Sequence, residues 1–273
     1  MKTIYSILLI FLFSFAVTGY SQTAQDFLDY GLKKMSLNDF NGAIDEYTIA
    51  IVLNPKFKDA YKNRGEAKIY LKDFKGAIAD YNKAIKIDSL FIEAYKDRGD
   101  AKGYINDYQG AIADYTYVIK INPTDADAYN SRGGVKMQLK DNRGSIADYT
   151  KAIELEPNMK NAYLGRGNAK REIKDLKGAI TDFNKIIESD PKEELAYLGR
   201  ARTKNDFLDY RGAIADYTKI IELMTKYPWP EIYYNRGLLE IKISHKDSGC
   251  LDLSKAADLG YEKAYEAIKK YCQ

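Results

Sequence analysis

From residue 24 to about residue 260, apolar and small positions recur at helical spacing in blocks separated by short polar turns. The stretch from Lys58 to Leu90 is representative. Tyr61, Arg64, Gly65 and Lys68 fall on one helical face, and Phe74, Ala77, Ile78, Tyr81 and Ile85 form a second, apolar stripe at i, i+3, i+4, i+7 and i+11. Asp73 stands between the two stripes, where its carboxylate is suited to cap the second helix. Gly65 and Gly76 are expected to let the helices approach closely. Pro55, Pro123, Pro157 and Pro191 end second helices, because proline cannot continue one; one such boundary carries Ser89 instead. The pattern predicts pairs of antiparallel helices.

The pair repeats. Gly31, Gly65, Gly99, Gly133 and Gly167 are each 34 residues apart, as are Asp39, Asp73, Asp107, Asp141, Asp175 and Asp209. Tyr47, Tyr81, Tyr115, Tyr149, Phe183 and Tyr217 keep the same step. A two-residue insertion near Tyr227-Pro228-Trp229-Pro230 then breaks the period, and Tyr233, Gly237 and Asp252 resume it. Seven units follow, at about 24–57, 58–91, 92–125, 126–159, 160–193, 194–229 and 230–260. One such hairpin cannot bury its own apolar faces, so stacking into an all-α solenoid with nearest-neighbour contacts is expected.

The 34-residue period, the aromatic Tyr61, the small Gly65, Ala77, the aromatic Tyr81, Ala84 and the late proline together resemble the tetratricopeptide repeat (TPR). The resemblance covers nearly all of the chain after residue 23. It implies a right-handed superhelix that binds peptides or partner proteins on its concave side, without enzymatic activity and without a cofactor. Two ladders depart from the usual pattern. Arg64, Arg98, Arg132, Arg166, Arg200 and Arg236 stand where Leu is common, and Lys34, Lys68, Lys102, Lys136, Lys170 and Lys204 where Tyr is common. An acid precedes the core aromatic position in each unit: Glu46, Asp80, Asp114, Asp148, Asp182, Asp216 and Asp252. We expect Arg and acid to pair as partly buried, hydrogen-bonded bridges rather than to form a nucleic-acid stripe. The end of the seventh unit, Ala256-Ala257-Asp258-Leu259-Gly260, resembles the Sel1-like variant of the repeat. Residues 261–273 then read as a capping helix with Ala264, Tyr265, Ile268 and Tyr271 on its inner face.

Charge and the N-terminus narrow the setting. Lys plus Arg total 42 against 39 acids, a formal charge of +3, which gives no nucleic-acid footprint. One His and two Cys make a His/Cys metal centre untenable. Lys2 followed by the apolar run Ile4 to Val17 fits a signal peptide and is short for a membrane span of roughly 20 residues. Cleavage is expected after Ser21, giving an exported chain, periplasmic or extracellular, with no stable membrane anchor. Cys250 and Cys272 lie at similar depths on either side of Gly260, so an exported chain favours a disulfide between them. The alternative is a buried free Cys250 and a frayed Cys272.

Function falls on the face of each first helix that differs between units. Its first half is charged, with Tyr70 and Tyr104. Its second half is more apolar, through Leu164, Leu195, Leu198, Tyr234, Leu238 and Ile241, with Arg202 among them. By resemblance this is the concave groove, and an amphipathic helix or extended peptide of a partner protein is the expected ligand. The family's two-carboxylate clamp does not fit, because Glu66 follows Lys62 by one turn and Asp100 follows Lys96. Trp229, between two prolines, reads either as an exposed anchor or as a plug over neighbouring helix ends. No catalytic motif is present. An envelope glycan or peptidoglycan ligand and a self-assembling solenoid remain the rival readings.

Overall fold

The computed structural model describes residues 22–224 and 228–273, so the expected leader, residues 1–21, lies outside the described residues. Among the described residues there are fifteen helices and no strand. The chain divides after Ile121 into two compact units. The first holds three hairpins: α1 (Ala24–Ser36) with α2 (Phe40–Leu53), α3 (Lys58–Tyr70) with α4 (Phe74–Ile87), and α5 (Ile92–Tyr104) with α6 (Tyr108–Ile121). The second holds four: α7 (Ala126–Gln138) with α8 (Asn142–Leu155), α9 (Lys160–Glu172) with α10 (Leu176–Ser189), α11 (Glu194–Asp206) with α12 (Tyr210–Leu223), and α13 (Pro230–Lys242) with α14 (Lys246–Asp258). A single helix, α15 (Glu262–Tyr271), follows.

Local chemistry sets the hairpin turn. The odd-numbered helices α1 to α13 end in a left-handed residue: Asn38, Lys72, Asn106, Lys140, Lys174, Leu208 and Ser244, with φ between 60° and 70°. In the second hairpin, Lys72 N–H donates to Ile69 O at 2.9 Å and Asp73 N–H to Lys68 O at 2.9 Å, which satisfies the last carbonyls of α3. The next residue caps the following helix. Asp73 Oδ1 accepts from Gly76 N–H at 2.9 Å, and Asp39, Asp107, Asp141, Asp175 and Asp209 do the same for the glycine three residues on. This corrects the expected role of Gly76. A Cβ there would meet Asp73 Oδ2 at 2.0 Å, so that glycine makes room for the cap and not for a facing helix.

Gly65 does serve close packing: a Cβ on it would lie 2.7 Å from the Tyr81 ring. Tyr47, Tyr81, Tyr115 and Phe183 are fully buried in this way between the two helices of their hairpins. In the seventh pair Leu253 takes the aromatic's place, and Gly237 and Gly249 bring α13 and α14 into backbone contact. Within each unit every hairpin packs on the next. Successive first helices also touch, α1 on α3 and α3 on α5 in the first unit, α7 on α9 and α9 on α11 in the second. Within each unit they therefore form one layer and the even-numbered helices the other.

The chain leaves the last hairpin by a turn built on Gly260 at φ +84°, with Tyr261 N–H donating to Ala256 O at 3.0 Å. Helix α15 lies on α14, and Cys250 and Cys272 are joined by a disulfide with Cα atoms 5.7 Å apart. Its buried face consists of Ala264 and Ala267, with Ile268 half-buried. Tyr265, expected inside, is 59% exposed, with its hydroxyl donating to Ala257 O at 3.1 Å, and Tyr271 is partly exposed at the helix end. Two alanines leave too shallow a seat for the Tyr265 ring beneath this helix.

Candidate functional site

The arginine ladder is structural. Arg64 Nε and Nη2 donate to both oxygens of Asp80, at 2.9 and 2.6 Å, and Lys68 Nζ reaches Asp80 Oδ2 at 2.6 Å. The same forked pair recurs as Arg98–Asp114, Arg132–Asp148, Arg166–Asp182, Arg200–Asp216 and Arg236–Asp252. Lys102, Lys136, Lys170 and Lys204 complete four further triads. The third guanidinium nitrogen reaches back one hairpin: Arg64 to Thr48, Arg98 to Asn82, Arg166 to Thr150, Arg200 to Asn184 and Arg236 to Thr218. Each guanidinium also lies over the ring three residues before it, as Arg98 does over Tyr95 at 5.1 Å. These cations are committed to buried carboxylates, so they offer no free stripe to a phosphate backbone.

In the first unit the variable face carries charge and aromatic surface. Lys62 pairs with Glu66 at 2.9 Å and approaches Asp97 at 3.7 Å. Tyr115 donates its hydroxyl proton to Asp100 at 2.5 Å. Burial, aided by the charges of Glu66 and Asp100 and opposed by Lys62, pushes Asp97 up to about 6. Burial also holds the Tyr47 phenol up at about 12, so it stays protonated. The lysine that a carboxylate clamp would need is thus already taken by an acid. Tyr70 and Tyr104 are well exposed, and each stacks one ring face on the preceding hairpin, Tyr70 on Phe40 at 4.6 Å and Tyr104 on Phe74 at 4.8 Å.

The second unit holds the apolar candidates, and the structure separates them. Leu195 is 45% exposed. Leu164 and Leu198 are half-buried and pack into the hydrophobic clusters around Phe183 and Tyr217. Arg202 is drawn to Glu231 at 3.0 Å, which ties α11 to α13. Tyr234 packs under α15 and sits 5.0 Å from the Tyr261 ring, so it belongs to the cap contact rather than to an open groove. Leu238 and Ile241 line a cavity of about 440 Å³ with Asn205, Tyr217, Asn235, Leu239, Lys242 and Tyr271. The expected apolar strip is therefore broken into an exposed leucine, two core leucines and a walled cavity.

Sequence reasoning missed the cavity. Its cause was legible as the insertion before Trp229: successive first helices pack on one another from α7 to α11, and α13 does not approach α11 in the same way. Trp229 itself is half-buried against the cluster of Tyr197, Tyr217, Ile220 and Ile232, and its backbone N–H donates to Met224 Sδ at 3.2 Å. It is a plug, holding the widened junction from the helix ends. Tyr271, the remaining wall, was placed by sequence on the inner face of the cap without any link to the groove.

The family model described as "Tetratricopeptide repeat" matches residues 29–90 and 135–194. The chain carries tetratricopeptide repeats over these two segments. A TPR protein from Parabacteroides merdae aligns over 93% of this chain and 100% of its own, at 21% identity and a TM-score of 0.70. The C-terminal part of a TPR repeat-containing protein from Cytophaga hutchinsonii aligns over 88% and 99%, at 18% identity and a TM-score of 0.72. YrrB, described as a TPR protein with an unusual peptide-binding site, aligns over 72% and 97%, at 20% identity and a TM-score of 0.57. At these identities the likeness is one of fold. No curated protein matches the chain.

Proposed function

We propose that this protein is an exported, non-enzymatic adaptor of the bacterial envelope that holds a peptide or helix of a partner protein against its first-helix layer. The observation that carries the reading is the division of labour between residues. The repeated charges are spent on internal bridges, while the positions that vary between hairpins leave Leu195 exposed and Leu238 and Ile241 lining a cavity. TPR proteins are generally scaffolds, and the likeness to YrrB supports a peptide as ligand. Export rests on the N-terminal apolar run and on the disulfide, which persists in oxidising compartments.

The test is capture from envelope extract with residues 22–273 as bait, beside a Leu195→Asp bait matched for helicity. A protein retained by the first and lost by the second supports the adaptor. Equal retention by both removes this face from the reading. One observation favours a second reading: Tyr70 and Tyr104 present open ring faces backed by Phe40 and Phe74, the kind of platform on which a sugar ring stacks. Co-sedimentation with purified cell wall that is lost in Tyr70→Ala/Tyr104→Ala would establish it, and no co-sedimentation would remove it.

A further inference from the structure

The cavity between α11 and α13 is a product of the one break in the 34-residue period, and its outer wall comes from outside the repeats. Tyr271 is the last residue of α15, next to Cys272. Beyond Ile268 the helix has no buried side chain: Lys269 and Lys270 are exposed, and Tyr271 is partly so. A ten-residue helix with two buried alanines has little of its own to stop its last turn fraying. The bond from Cys272 to Cys250 on α14 is what fixes that end. The other lining groups define a ligand. Leu238, Leu239 and Ile241 are apolar, Asn205 and Asn235 are carboxamides able to pair with a peptide main chain, and among the lining residues Lys242 alone is charged. At about 440 Å³ the cavity is within the usual size of a ligand pocket, roughly 300–1,000 Å³.

We propose that the Cys250–Cys272 disulfide holds Tyr271 as the wall of this cavity, so that the oxidised chain takes up an apolar side chain with an acidic neighbour from a partner segment, and the reduced chain does not. The proposal rests on the adaptor reading and adds to it a pocket and a switch. The chemistry is thiol–disulfide exchange with a dithiol: its two thiols attack in turn, it leaves as a cyclic disulfide, and Cys250 and Cys272 are left as two thiols. Lys242 supplies the charge complement. Its ammonium lies 4.2 Å over the Tyr210 ring.

The experiment follows the methyl resonances of Leu238, Leu239 and Ile241 during titration with acetyl-Asp-Leu-amide. It uses the oxidised chain, the same chain reduced with dithiothreitol, and oxidised Tyr271→Ala, which keeps the staple and removes only the wall. Saturable shifts in the oxidised chain, weakened at least about fivefold both by reduction and by Tyr271→Ala, are expected. Acetyl-Lys-Leu-amide is expected to bind more weakly than the acidic probe. Equal affinity in oxidised and reduced chains overturns the switch, and no shift in any chain overturns the pocket. A partner captured in the envelope experiment that is lost with Leu195→Asp yet indifferent to reduction keeps the adaptor and sinks this proposal alone.

Discussion

At the residue scale, the costliest backbone positions are the seven left-handed turn residues, none of which is glycine. A side chain at positive φ crowds its own carbonyl by about 1–2 kcal/mol, a penalty glycine avoids at some cost in chain entropy. Leu208 is the least suited of the seven, being γ-branched and 69% exposed, with little packing to lose. Leu208→Gly is expected to raise stability by about 0.5–1 kcal/mol, read as the urea midpoint. A lowered midpoint would show that Leu208 makes contacts that outweigh its strain. A second prediction concerns Asp97. Its carboxyl titrates at about 6 when folded, above its value of 3.8 in the open chain, so the folded state binds the extra proton between those limits. Stability from this residue is therefore lowest above pH 6 and rises as pH falls toward 4. The groups facing it are Lys62, Glu66 and Asp100. Asp97→Asn is expected to stabilise the protein at pH 7.5 and to flatten its pH dependence between 5 and 7.5 relative to the parent. An unchanged slope would assign that dependence to other groups.

At the element scale, each hairpin after the first is closed by a buried Arg–Asp pair that sequence spacing made visible. Arg and acid recur 16 residues apart in every unit but the first, where Glu46 and Lys34 stand without an arginine. What spacing did not reveal was the third bond, from the same arginine back to Thr48, Asn82, Thr150, Asn184 or Thr218. That bond depends on how neighbouring hairpins are set against each other, which no single helix encodes. The helix ends were legible because Asp, Gly and Pro act locally. The inner face of α15 was not, because which of its tyrosines is buried depends on the surface it meets. The pairs also set a clear energetic expectation. Asp114 is 4% exposed at its side chain, and Asp114→Ala would leave Arg98 and Lys102 facing a void. Breaking such a pair costs about 3–5 kcal/mol. Asp114→Asn, which keeps the volume and one of the two acceptor oxygens without the charge, is expected to cost less. Equal losses for the two variants would mean that charge, rather than orphaned donors, carries the interaction.

At the scale of the whole molecule, stability in a stack of hairpins is a sum over neighbours, so a local change should stay local. The C-terminal staple is the sharpest place to test this. It closes a segment of 22 residues, which corresponds to about 3 kcal/mol of restrained chain entropy. The energy is concentrated on α15, whose own buried face is two alanines and part of an isoleucine. In Cys250→Ser/Cys272→Ser, amide exchange is expected to quicken in α15 and in the Gly260 turn, and modestly in α14, where Leu253 and Ala256 remain buried. Helices α1 to α6 are expected to exchange as in the parent, because the bond lies in the last hairpin of the other unit. Exchange that quickened throughout would mean that the hairpins unfold together, and that the staple stabilises the whole chain rather than its end. The distinction bears on function. If the loss is confined to α15, reduction can remove one wall of the cavity while leaving Leu195 and the rest of the first-helix layer in place. A redox change would then alter what the protein binds without costing the fold that does the binding.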